Sequence, residues 1–197
     1  MANTLDYFAV LYYNMHMKQP YEAVGIDEFP DVMPSVIFDV GFGGIAKDLD
    51  MDFHYLTEYM RGRGLSDEQI QAMTLEFRAP LSLDSDEDRV GLEGQYSYDK
   101  RTCIVHLANI AMMKFNTAKL LKLPIRWVRA EMQAETARTV AHEIEHYVSH
   151  AEAGFVNPTD YISWQSDSDD TAYREQPEEV RARSAERRYD VTRVRMI

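Results

Sequence analysis

Residues 126–153 read RWVRAEMQAETARTVAHEIEHYVSHAEA, and their spacing predicts one long helix. Val128, Met132, Thr136, Val140, Ile144, Tyr147, Val148 and Ala151 recur close to the helical period, so they form a stripe that faces a core. Pro124 breaks a preceding helix expected over about 110–122, and Gly154 is placed to end the long one. Roughly opposite Val140, Ile144 and Val148 stands His142-Glu143-Ile144-Glu145-His146, an H-E-x-x-H pattern. Four residues advance a helix by about 6 Å and slightly more than one turn. Both imidazoles therefore leave one face and can converge on a single metal. Neutral imidazole suits zinc. Glu143 lies about 100° round the helix from His142, which puts it beside a metal, where it can take a proton from metal-bound water. The reading is zinc on His142 and His146 with Glu143 as the catalytic base, set against two polar histidines on a solvated face.

A catalytic zinc takes three protein ligands and leaves one position open. His150 lies about 12 Å along the axis from His142, too far to share the ion, and no histidine follows it. The third ligand is expected to be a carboxylate. Glu179 comes first, in a C-terminal helix expected over 177–189 with Pro177 at its first position; Glu178 and then Glu175 follow. Glutamates also favour the positive end of a helix, which is the other reading of Glu179. Glu145 is expected to support the site or to lie on the surface, and His150 to be on the surface or against substrate. His106, on a strand, reads as a packing or surface residue.

The rest of the chain narrows the class. Its 197 residues, 45% hydrophobic and 11% aromatic, suit one globular domain over 1–197. The net charge of -12 repels phosphate backbones, so no nucleic-acid partner is expected. Arg181, Arg183, Arg187 and Arg188 are interleaved with Glu178, Glu179 and Glu186, as on a salt-bridged helix face. Cys103 is the one cysteine, which excludes a disulfide and a cysteine zinc ribbon, and its apolar setting reads as a buried, inert thiol. There is no basic leader and no apolar run near the roughly 20 residues that span a bilayer, so a cytoplasmic protein with no membrane partner is expected. Asp84, Asp86 and Asp88 start like a calcium loop, but Arg89 and Gln95 occupy its glycine and closing-glutamate positions. A solvated acidic loop is the better reading.

Elsewhere, residues 4–17 read as helix or strand and 18–34 as loop. Ser35 to Val40 read as a buried strand, and residues 52–62 as a helix. Ser66 with Gln69 reads as a capping box opening a helix over 67–77. Residues 95–107 read as a hairpin carrying Tyr96 and Tyr98, and 154–176 as a long loop. The expected fold class is α+β, with residues 1–94 of unassigned role ahead of a core over 95–190.

HEIEH together with the downstream Glu179-Val180-Arg181-Ala182 resembles the gluzincin side of the zincin metallopeptidases, and is similar to the minimal gluzincins and the ImmA/IrrE-like peptidases, over roughly residues 95–189. The resemblance implies a small antiparallel or mixed sheet on the metal helix, an edge strand near Ile104 to Leu107 lining a cleft, and a C-terminal ligand helix. It implies zinc on His142, His146 and Glu179, and a peptide or protein substrate. Relatives often place an acid two or four residues after the ligand glutamate to orient a zinc-bound histidine. Arg181 and Arg183 stand there, so Glu186 or Asp190 is expected to take that part. The departure motivates an alternative, a binding or regulatory protein on the same scaffold without turnover; a metal-independent structural protein is a third reading. Tyr173 and Tyr161 are the candidate oxyanion donors.

Overall fold

The computed structural model describes residues 32, 34–38, 53–78, 92–160 and 170–195. The expectations on residues 4–17, on the Asp84 to Asp88 run and on Tyr161 fall outside them. The described elements are β1 (Ser35–Phe38), α1 (Phe53–Gly62), α2 (Asp67–Ala72), β2 (Thr74–Arg78), β3 (Gly94–Ser97), β4 (Thr102–His106), α3 (Leu107–Leu121), α4 (Ile125–Glu152), α5 (Asp170–Arg174) and α6 (Pro177–Arg195). The architecture is mixed α+β, mostly helical, with one small sheet.

The sheet has the order β1-β2-β4-β3. β1 and β4 both run parallel to β2, and β3 returns antiparallel to β4 with Gly94 opposite Val105 and Ser97 opposite Thr102. This corrects the expected edge strand at Ile104 to Leu107. β4 is internal and every one of its residues is buried, so among the described strands β3 is the edge beside the long helix. The cause lies in a second correction. Residues 74–78 do not continue the helix from Asp67, which stops at Ala72; they form β2 and cover the far side of β4. Leu75 and Phe77 are buried between half-buried neighbours, a period of two that a helix cannot present to one core. The start of α2 is as expected: Ser66 Oγ accepts from the Gln69 amide at 3.3 Å, and Gln69 Oε1 accepts from the Ser66 amide at 2.8 Å.

α4 is the central beam. Its stripe from Val140 through Ile144 and Tyr147 to Val148 shares one buried core with Leu75, Phe77, Cys103 and Val105 of the sheet and with Leu56 and Met60 of α1. Tyr147 donates its hydroxyl to the Gln69 carbonyl, tying α4 to α2. The opposite face is buried too. His146, His150, Glu143 and Glu145 are all under a tenth exposed: α6 and β3 lie against α4, and Arg63 and Tyr59 cover Glu145. His150 and Glu145 are therefore not surface residues, and the packing reading of His106 agrees with its burial. The long 154–176 loop contains the short α5. Among the described residues no helix is long and apolar enough to cross a membrane.

Candidate metal centre

Three donors from two helices meet between α4 and α6. His142 and His146 are one turn apart on α4, and Glu179 stands in the first turn of α6. His142 Nε2 and His146 Nε2 are 3.2 Å apart. Glu179 spans the pair, with Oε2 3.4 Å from His142 Nε2 and Oε1 3.2 Å from His146 Nε2. The ligand atoms all lie within 4.8 Å of one another, so the group can hold a metal ion. Glu179 is fully buried, whereas Glu178 pairs with Arg181 at 3.4 Å and Glu175 is exposed. Of the three carboxylates weighed from the sequence, only Glu179 belongs to the group.

Glu186, two turns beyond Glu179 on α6, reaches His142 Nδ1 at 2.5 Å. A carboxylate there accepts the Nδ1 proton and leaves the Nε2 lone pair aimed at the centre. Glu186 thus takes the orienting part for which Arg181 and Arg183 are unsuited; the side chain of Asp190 lies outside the description. Removing such a partner costs roughly 10–100-fold in metal affinity. Glu186→Gln is expected to show that loss in competition with a chromophoric chelator, with the fold retained because Glu186 is 30% exposed. Unchanged affinity would remove Glu186 from the centre.

The electrostatics follow from burial opposed by partners. Burial works to lower the His142 pKa, but its bonds to Glu179 and Glu186 outweigh burial and raise it to about 10. Burial works to raise Glu179, yet the two imidazoles hold its carboxyl far below the ordinary range. A proton on the His142 imidazole offsets the carboxylate charge, and a cation held by the three donors would take that part. Glu143 differs. Burial raises its pKa, with the two histidines pulling the other way. It lies beside the ligand group without belonging to it.

What seats Glu143 is the edge strand. A Cβ at Gly94 would stand 2.5 Å from Glu143 Oε1 and 2.5 Å from Thr139 Cγ2. Only glycine lets the β3 backbone come this close. From below, the Cys103 thiol donates to the Glu143 carbonyl at 3.2 Å. Burial pushes that thiol's pKa well up, so it is inert, as its sequence setting implied.

On the flank of α4 away from Glu143, Glu145 takes no part in the group. Its carboxylate accepts from Arg63 at 2.9 and 3.0 Å and from the Tyr59 hydroxyl, while Arg63 also grips Glu152 at 3.0 and 2.9 Å. His150 also stands apart, with Nδ1 2.8 Å from the Tyr96 hydroxyl and its ring edge-on to Tyr98. The Tyr98 hydroxyl is pushed up by burial and then by the charges of Glu178, Glu179 and Glu143, which places it on the side of the centre. Tyr173 is half-buried on α5, ahead of the ligand helix. Gly94 was not singled out from the sequence, and Tyr98 was read there only as a hairpin residue. The one available signal was an isolated glycine opening a strand pattern.

Comparison of the chain with protein-family models, with curated proteins and with solved structures finds no match.

Proposed function

We propose that this chain is a zinc-dependent metallopeptidase with a zincin-like core, formed by the small mixed sheet, the metal helix α4 and the ligand helix α6. The observation that carries the reading is a buried carboxylate, Glu143, seated beside a three-donor group of two imidazoles and a carboxylate. Zinc bound at 2.0–2.1 Å in a tetrahedron would hold its donors about 3.3–3.4 Å apart. The 3.2 Å between the two imidazole Nε2 atoms fits that size, and Glu179 brings one carboxylate oxygen to 3.4 Å from His142 and the other to 3.2 Å from His146. When bound, zinc supplies Lewis acidity, which polarises a carbonyl and makes water a nucleophile near neutral pH.

The chain's own residues do the rest. Glu143, whose burial raises its proton affinity, accepts a proton from the attacking water and returns it to the departing amine. Glu186 holds the His142 ring in one orientation. β3, paired only with β4 among the described residues, offers an edge to which an extended peptide can add by backbone hydrogen bonds. Such a peptide would pass directly over Gly94 and Glu143. The silent-scaffold alternative was motivated by the acid missing at Arg181 and Arg183, and Glu186 answers that motive. The test is a broad peptide library offered to zinc-loaded chain with and without chelator. Chelator-sensitive cleavage is expected; no cleavage by a fully loaded sample would favour the silent scaffold.

A further inference from the structure

α3 and α4 form a helical hairpin, joined by Lys122-Leu123-Pro124, whose tip lies at the end of α4 away from the metal centre. Seventeen residues separate Ile125 from His142, about 25 Å along the helix. At this tip Leu120 is 81%, Leu121 60% and Ile125 54% exposed. They are three of six large apolar side chains exposed among the described residues, and they fall within one six-residue stretch. Large aliphatic side chains concentrated in water mark a contact surface.

The charge around them is the reverse of the chain's. Residues 115–130 contain no aspartate or glutamate in a protein of net charge -12. Lys119, Lys122 and Arg126 are exposed there, interleaved with the aliphatic residues. Trp127 lies half-buried just behind.

We propose that this hairpin tip is a docking surface for an anionic lipid membrane. A tip of aliphatic side chains ringed by long cationic ones matches a bilayer interface in both respects. The aliphatic groups enter the acyl boundary, while the lysine and arginine stems lie along it and carry their charges to the phosphates. An acidic protein surface would satisfy the cations but leave Leu120 and Leu121 in water. The acidic remainder of the chain is repelled by the same membrane, so the tip approaches first. The sequence expectation of no membrane partner rested on the lack of a spanning segment, and peripheral docking needs none. The proposal stands independently of peptidase activity.

The test is co-sedimentation of the full chain with phosphatidylcholine vesicles, with and without phosphatidylglycerol. Binding is expected on the anionic vesicles, at least about tenfold weaker on the neutral ones, and weaker as salt rises. K119E/K122E and L120S/L121S/I125S are each expected to weaken it at least about tenfold. All five positions are exposed, so thermal melts should match wild type and show that the fold is retained. No binding to anionic vesicles would overturn the proposal, as would variants that bind like wild type. Tip-dependent binding to polyglutamate without vesicle binding would overturn it in favour of an acidic protein partner. Tip-dependent dimerisation without vesicle binding would overturn it in favour of a second copy.

Discussion

Glu143→Gln is expected to keep its metal and to lose about 10²–10⁴-fold in turnover, the usual worth of a general acid–base group. The amide matches the carboxylate in size and fits the space bounded by the Gly94 backbone and Thr139, so the edge strand need not move. It cannot accept a proton. Since Glu143 is not one of the three converging donors, metal content should equal that of wild type. Peptide affinity should change little, because the loss falls on the chemical step. Hydrolysis by the variant at the wild-type rate would remove Glu143 from catalysis while leaving the metal centre standing.

The largest effect on stability is expected at the Arg63–Glu145 pair. Breaking a buried ion pair by removing one partner costs about 3–5 kcal/mol, because the other charge is stranded. The two ends are not equivalent. The Glu145 side chain is 1% exposed, with Arg63 and Tyr59 as its partners, whereas the Arg63 side chain is 25% exposed and keeps Glu152. Arg63→Met should therefore reach the upper part of that range and Glu145→Ala the lower, as read by urea unfolding. The reverse order would mean that Glu145 finds another partner or water when Arg63 is gone. Both variants should retain the metal in their folded fraction, since Glu145 is not one of the three donors and its partners are Arg63 and Tyr59.

The site was legible because its chemistry is local. His142 and His146 sit one turn apart, and helical period alone puts them on one face. The lack of a further histidine pointed to a carboxylate, with Glu179 ahead of Glu178 and Glu175, and Glu186 was one of two acids, with Asp190, that the resemblance suggested for orienting a histidine. What could not be read depends on partners far along the chain. Glu145 reads as a support of the site or a surface glutamate until Arg63, 82 residues earlier, is placed against it. Thr74 to Phe77 read as the tail of a helix because a short apolar run has no strong period, and pairing with both β1 and β4 decides the matter. The edge strand at Ile104 to Leu107 was implied by the resemblance alone, and the pairing of β2 with β4 makes that strand internal. The need for glycine at position 94 comes from the approach of a helix 49 residues away in sequence, which leaves no local pattern.

The central claim is that His142, His146 and Glu179 hold one zinc ion. It is tested most directly by the metal content of purified wild type, His146→Ala and Glu179→Ala, each offered zinc and then freed of excess. The account predicts close to one zinc per chain in wild type and its loss in both variants, with circular dichroism showing that they remain folded. A wild type that takes up no zinc would contradict the metal centre, and full retention by Glu179→Ala would contradict its ligand set.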